Sequence, residues 1–175
     1  MKSSHVIGAA AVLAVATASL PACAALGSVP TYTAGASTVT LSQNVAAASR
    51  SGTTGTTQVT RMAQQISATG TAYTVNETTL EGGTVVREYV ASRGAVFAIT
   101  WHGPIMAPLN TLLGTYFPNY MSGLGAVHAL HPGTGSATVQ QSDLVVETGG
   151  HMRSYVGRAW LPLALPQGFS EAEIQ

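Results

Sequence analysis

The sequence predicts an α+β fold in which one main helix packs on one face of an antiparallel sheet of about five strands. Three patterns predict it: a run of three strand patterns joined by tight turns, then one amphipathic helix pattern, then a hairpin pattern near the end of the chain. Strands that follow one another closely along a chain pair antiparallel, and one apolar helix stripe needs one apolar sheet face to leave water.

The first three strands form a predicted meander. Each is rich in Thr, Val, Ile and aromatic residues, which favour strands. A first turn that includes Glu81 sets Glu77 opposite Arg87, whereas a two-residue Gly82–Gly83 loop sets Glu77 opposite Glu88. Directly opposed like charges destabilise a sheet, so the first register is preferred. The three predicted strands span 73–80, 84–91 and 95–101.

The second turn of the meander sets the predicted core face. A three-residue turn centred on Arg93 places Tyr89 opposite Phe97 and Val85 opposite Trp101. Because side chains alternate along a strand, these residues share one face, which we predict to be the core side with Trp101 as an anchor.

The predicted helix follows this meander and precedes the hairpin. Pro108 suits its first turn, and apolar residues recur at spacings of three and four from Leu109 to Tyr120. Pro118 kinks or ends this helix, and in the second case the residues up to Tyr120 form a separate turn. Residues 122–136 are predicted to form a loop. A hairpin turning at Gly149–Gly150 follows, with strands at 143–147 and 152–161, and Ser170 to Glu173 form a capping box.

The start of the chain has the pattern of a secretory signal peptide. Lys2, the only lysine, precedes an apolar run that is too short for a permanent membrane span, and cleavage is predicted after Ala24. The predicted organisation is a signal peptide at 1–24, a partly flexible Ser/Thr/Ala/Gly-rich arm at 25–70, and one α+β domain at 71–175. Within the arm we predict an edge strand near Val39 and a helical turn over 59–66.

The compartment has two interpretations. Cleavage after Ala24 releases the protein into the periplasm or the extracellular space. Leu20 to Cys23 also match a lipobox, in which an acylated Cys23 anchors the protein to the outer membrane, although Pro21 fits that pattern poorly.

The composition excludes several classes of protein. Residues 25–175 contain six Arg, seven acidic residues, and no Lys or Cys. A nucleic-acid partner would require a basic excess that this chain lacks, and a disulfide cannot form. No second apolar run reaches membrane-spanning length, and no cofactor motif is present.

Three blocks of sequence resemble a known family. They are Tyr73–Leu80 with Gly83–Val90, then Val96–Pro104, then Asp143–Arg153, together with an Ala-Leu-Gly start at Ala25 and a Leu-Pro ending at Leu161. The chain resembles domain of unknown function 2844, an uncharacterised family of exported proteobacterial proteins. The resemblance implies export, one small domain and no established activity, so no catalytic residue is carried over. A Cys at position 23 is unusual in the family, which favours ordinary cleavage over lipidation.

The candidate catalytic residues are histidines and carboxylates at strand ends. His102 ends the third strand of the meander, and His151 follows the Gly149–Gly150 turn with Glu147 before it. Glu88 is the fourth candidate, through the acid pair with Glu77 that the disfavoured register would form. Solvent-exposed turns also hold polar residues that have no chemical role, and this structural interpretation of the four candidates stays open.

Arginines and the remaining histidines are candidate ligand contacts. Arg87, Arg153 and Arg158 lie on predicted strands, where they would bind a carboxylate or phosphate or else pair with internal acids, Arg158 with Asp143 by a diagonal contact. His128 and His131 are three residues apart but lack further ligands, so no metal site is predicted.

Two functional hypotheses follow from these patterns. The first is a non-enzymatic periplasmic or cell-surface protein that binds an envelope or exported partner through a sheet edge or the helix–sheet groove. The second is a small hydrolase-like or ligand-binding enzyme that uses a His/Glu pair. An open sheet edge would favour the first, and a histidine hydrogen-bonded to a carboxylate in a cleft would favour the second.

Overall fold

The computed structural model describes residues 26–32, 39–40, 59–130 and 135–175. Its strands are β1 Val39–Thr40, β2 Val59–Ile66, β3 Ala72–Thr79, β4 Val85–Ala91, β5 Val96–Gly103, β6 Ala137–Gln140, β7 Val145–His151 and β8 Ser154–Trp160. In these described residues they form one sheet in the order β1-β2-β3-β4-β5-β8-β7-β6. The α+β class is confirmed, but seven antiparallel strands replace the predicted five, and β1 adds a two-residue parallel bridge.

Two of the strands were not predicted. Residues 59–66 are the strand β2 rather than a helical turn, because they pair with β3 at every position from Val59↔Thr79 to Ile66↔Ala72. Long-range pairing overrides a short and weak helical spacing. The four residues of β6 alternate between buried Ala137 and Val139 and exposed neighbours, but they follow a stretch that we predicted to be a loop.

The meander has the predicted first register and a different second one. Glu77 lies opposite Arg87, which confirms the preferred pairing. Between β4 and β5 a bulge at Tyr89/Val90 shifts the pairs to Val86↔Trp101 and Tyr89↔Ala98. The predicted pairs of Tyr89 with Phe97 and of Val85 with Trp101 are wrong, because the bulge inserts one residue into the ladder.

The second hairpin turns later than predicted. Gly149 and Gly150 lie inside β7, and the turn is at Met152–Arg153, where Arg153 has φ 66°. Gly150 is needed for a close approach, since a Cβ there would lie 2.0 Å from the Ser154 carbonyl oxygen. This register places Arg158 directly opposite Glu147, not diagonal to Asp143.

The helical segment is longer than predicted, and its second helix starts where we placed the kink or end of the first. It comprises α1 Leu109–Leu113, a 3₁₀ turn Gly114–Tyr116 and α2 Phe117–Leu130. Pro118 lies in the first turn of α2, where a missing N–H costs nothing, so it begins this helix. The predicted loop at 122–136 is therefore mostly helix, and Gly123 marks a contact: a Cβ there would meet Val139 Cγ1 at 2.4 Å.

The sheet is covered differently on its two faces. The helix face packs against α1 and α2, and its buried side chains include Val86, Ile99, Trp101, Val146 and Ala159. The tail face packs against the segment 162–175, which we call the tail. Its core is formed by Tyr89, Phe97, Val145 and Trp160 of the sheet with Phe169 and Ile174 of the tail.

The predicted arm contributes ordered contacts at 26–32. Leu26 is buried in the helix-face core, and its N–H donates to the Leu112 carbonyl oxygen at 2.9 Å. Gly27 and Ser28 exchange backbone hydrogen bonds with Val96 at 2.8 Å each. The signal peptide, Cys23 and the Ala24 cleavage site lie outside the described residues.

Candidate functional site

A row of polar side chains crosses the tail face. Each member is the direct cross-strand partner of the next, and partners in antiparallel strands point to the same face. In order across the sheet the row is Arg61, Glu77, Arg87, Thr100, Arg158, Glu147 and Thr138.

Two ion pairs lie within this row. Arg87 Nε is 2.9 Å from Glu77 Oε2, and Arg158 Nε is 2.7 Å from Glu147 Oε2. Each of the four side chains is about a third exposed. Two candidate ligand-binding arginines are therefore occupied by internal carboxylates.

The tail crosses the row between these two arginines. The Gln175 carbonyl oxygen accepts hydrogen bonds from Arg87 Nη1 at 3.1 Å, Tyr89 Oη at 2.7 Å and Thr100 Oγ1 at 3.4 Å. On the other side, Arg158 Nη1 donates to the Glu171 and Ile174 carbonyl oxygens at 3.3 and 3.5 Å. The polar row thus holds the backbone of the tail in place.

A cleft of about 330 Å³ remains between the tail and strands β5, β8 and β7. Three sequence candidates, His102, Glu147 and Arg158, line it together with Thr100, Val156 and Gln175. Its volume lies at the lower end of the range for small-molecule sites. No histidine of the described residues hydrogen-bonds to a carboxylate, so the His/Glu pair of the enzymatic hypothesis is not assembled there.

The other candidates lie away from this cleft. His151 is exposed near the tip of the β7–β8 hairpin, with Nδ1 3.2 Å from the Met152 carbonyl oxygen, and Arg153 is exposed in the turn. His128 is exposed on α2, and His131 lies outside the described residues. The part of the chain with described coordinates holds no group of three or more His, Cys, Asp or Glu residues placed to bind a metal ion.

Glu88 is on the opposite, helix face and is 1% exposed. Its carboxyl oxygens accept hydrogen bonds from the backbone N–H groups of Thr31 at 2.7 Å and Tyr32 at 3.4 Å. Burial raises the pKa of Glu88, and the hydrogen bonds from Thr31 and Tyr32 offset part of this rise. Glu88 lies opposite Asn76, not Glu77, so the carboxylate pair does not form.

One edge of the sheet is open in the described part of the chain. β6 pairs with β7 on its inner side, and no described strand lies on its outer side. The Gln141 N–H donates to the Leu144 carbonyl oxygen at 2.8 Å, and bonded and non-bonded pairs alternate along an antiparallel ladder. The backbone N–H and C=O groups of Thr138 and Gln140 therefore point away from β7.

The helix α2 lies over this edge strand. Gly123 contacts Val139, and the Gln141 side-chain amide donates to the Asn119 carbonyl oxygen at 3.0 Å. Among the residues of α2 only Tyr120 is fully buried, while Met121 is 50% and Leu130 77% exposed. Residues 94–142 contain no Asp, Glu, Lys or Arg, so neither β6 nor α2 contributes an acidic, lysine or arginine side chain to this surface.

Sequence reasoning missed this surface, although two signals for it are present. Residues 137–140 alternate apolar and polar side chains, and the preceding stretch has no charges. Neither α2 nor any other helix of the described residues is both long and apolar enough to cross a membrane.

Comparison with known protein families identifies a family to which the chain belongs. The model of a family described as "Protein of unknown function (DUF2844)" matches residues 22–174. No curated protein and no solved structure matches the chain.

Proposed function

As the chain belongs to the DUF2844 family, whose description states no activity, we propose from its geometry that it is a non-enzymatic interaction protein exported to the bacterial envelope. It binds an extended segment of a partner protein as an added strand at the outer edge of β6. The observation that carries this proposal is that the outward backbone groups of Thr138 and Gln140 have no partner strand among the described residues, beside a helix α2 that has no acidic, lysine or arginine side chain.

The edge chemistry supports strand addition over other modes of binding. An unpaired strand edge is a template for another strand, and proteins that avoid such pairing place Lys, Pro or a bulge there. β6 has none of these: its sequence is Ala-Thr-Val-Gln, and both outward-pointing residues are exposed. The predicted signal peptide supports the location, in the periplasm or at the cell surface, with lipidation at Cys23 as the alternative.

A photo-crosslinking residue in living cells tests this proposal. Placed at Gln140, it should yield a covalent adduct in the exported fraction, whereas the same residue at Arg93, in the exposed β4–β5 turn, should yield none. Thr138→Pro removes one outward N–H without touching the β7 ladder and should abolish the adduct. Thr138→Val keeps that N–H and should retain it. Equal adducts from both positions, or no effect of Thr138→Pro, would refute strand addition.

The second candidate function is the hydrolase-like or ligand-binding one, in the cleft beside the tail. The observation that favours it is that His102, Glu147 and Arg158 share this cleft. Inorganic phosphate and acetate are suitable probes, because a guanidinium binds both anions. A rise in melting temperature with either probe that is lost in Arg158→Gln would support this function, and no rise would count against it.

A further inference from the structure

We propose that a groove on the helix face of β2, β3 and β4 binds an uncharged saccharide, one hydroxyl group of which donates a hydrogen bond to the side-chain oxygen of Asn76. This site is separate from the docking edge proposed above, because β5, β8 and β7 lie between β4 and β6 in the sheet. The two proposals can therefore be tested independently.

The groove has a volume of about 600 Å³. It is formed by β2, β3, β4 and the β4–β5 turn, together with Pro30. Gln64 lies opposite Thr74, and Thr74 lies opposite Val90, which belongs to the helix-face core. Asn76 is two residues further along β3, so its side chain is on the same face. The volume lies within the range of small-molecule sites.

Asn76 contributes an unpaired acceptor to this groove. It is 3% exposed and lines the groove, and its side-chain oxygen Oδ1 is buried without a hydrogen-bond partner in the described part of the chain. A buried acceptor without a donor destabilises the folded state, so such atoms are rare and call for a specific explanation. A ligand in the groove that carries a donor supplies the missing hydrogen bond.

The lining of the groove selects an uncharged ligand. None of the described residues that line it is Asp, Glu, Lys, Arg or His. Amide and hydroxyl groups come from Gln64, Thr74 and Asn76, and apolar surface comes from Met62 and Ile66, which are 37% and 73% exposed. The hydroxyls of a saccharide donate and accept hydrogen bonds, and the C–H faces of its rings leave water against aliphatic side chains.

The position of the groove argues against a peptide or an ion as its occupant. β3 pairs with β2 and with β4 along its whole length, so its backbone N–H and C=O groups are used within the sheet. A ligand above this face reaches side chains, whereas an added peptide strand needs an open sheet edge. A charged ligand would lose its water there without gaining an opposite charge.

Thermal denaturation of the whole purified chain with four uncharged disaccharides tests this site. The probes are maltose, cellobiose, lactose and N,N′-diacetylchitobiose, and cellobiuronic acid is the charged counterpart of cellobiose. We expect at least one uncharged probe to raise the melting temperature, because a ligand that binds the folded state stabilises it, and we expect no rise with cellobiuronic acid. No rise with any of the four, or a rise of equal size with cellobiuronic acid, would overturn the proposal.

Three variants locate the binding. Asn76→Leu should abolish the rise, and without sugar it should melt no lower than the wild type, because it removes an unpaired acceptor. Thr74→Val should weaken the affinity for the saccharide severalfold, since it removes one hydroxyl and keeps the shape of the side chain. Gln167→Leu, at an exposed position of the tail, is the control and should retain the full rise.

Two outcomes for these variants would overturn the site. An equal rise in all of them would mean that the sugar acts by its exclusion from the protein surface and does not bind at Asn76. A lower melting temperature of sugar-free Asn76→Leu would mean that Asn76 Oδ1 is already satisfied within the protein, which removes the reason for a ligand donor.

Discussion

The two faces of the sheet are closed by different physical means. The helix face is closed by aliphatic side chains from α1 and α2 against Trp101, Ile99 and Val86, with no ion pair among its described residues. The tail face is closed by a short segment that places Phe169 and Ile174 in an aromatic cluster and is held by side-chain donors on its backbone. Burial dominates on the first face, and burial combined with hydrogen bonding holds the second.

The largest expected loss of stability comes from a substitution on the helix face, at Trp101. Its side chain is 1% exposed and lies against Gly157, where a Cβ would be 2.2 Å from Trp101 Cζ2. Trp101→Ala should lower the free energy of unfolding by about 3–5 kcal/mol, because removal of the large ring leaves a cavity that the neighbouring side chains cannot fill. Denaturant unfolding measures this loss, with Val156→Ala, a half-exposed residue, as the control. An unchanged midpoint for Trp101→Ala would contradict the assignment of this face as the main core.

A smaller effect is expected from the tail face. Ile174 is 1% exposed, and Ile174→Ala should lower the free energy of unfolding by about 2–4 kcal/mol. We expect the tail to detach before the sheet unfolds, which would limit the loss, so the variant should also be cut faster by protease within 162–175. Leu163→Ala, at an 83% exposed position of the tail, is the matched control. Equal protease resistance in both variants would show that the tail does not detach separately.

Those features of the fold that depend on local signals could be predicted from the sequence. The Glu77–Arg87 pairing followed from charge alone, and the Ser170–Glu173 capping box is present in the structure. Trp101 is a core residue as expected, but the bulge at Tyr89/Val90 places Phe97 on the other face. The bulge could not be predicted, because no glycine or proline marks it in the sequence. The local sequence of residues 59–66 fits a helical turn as well as a strand, and only their pairing with β3 decides between the two.

The candidate site could be predicted only in part, because long-range pairing assembles it. β8 pairs with β5 although two strands separate them in sequence order, and this brings Arg158 beside Thr100 and His102 near Glu147. No spacing in the sequence encodes that neighbourhood. The open edge at β6 depends on which strand ends the sheet, which is also a property of the whole topology.

The buried carboxyl of Glu88 should make the stability of the helix face depend on pH. Its raised pKa means that the folded state binds a proton more tightly than the unfolded state, so its contribution to stability is full at low pH and decreases as pH rises through the folded-state pKa. Asn76, which lies opposite Glu88 in the strand pair, has a buried side-chain oxygen with no hydrogen-bond partner among the described residues.

Glu88→Gln should therefore make stability less dependent on pH. We expect this variant to gain about 1 kcal/mol relative to the wild type near neutral pH and to lose that advantage near pH 4, since a neutral amide resembles the protonated acid. Melting temperatures across this range measure the difference. Glu77→Gln, on the tail face, is the control for removing one carboxylate. A constant difference between Glu88→Gln and the wild type at all pH values would contradict a protonated Glu88.

The smallest effect is expected from the ion pairs of the tail face. Arg87 and Glu77 are bonded at 2.9 Å but remain 36% and 31% exposed, so water and salt screen their attraction. A double-mutant cycle with Arg87→Met and Glu77→Gln should give a coupling energy of about 0.2–1 kcal/mol that falls at high salt. Arg87 also donates to the Gln175 carbonyl oxygen, so the single Arg87→Met variant should additionally speed protease cutting of the tail, whereas Glu77→Gln should not. A coupling energy well above this range would mean that the tail face, like the helix face, shields its interactions from water.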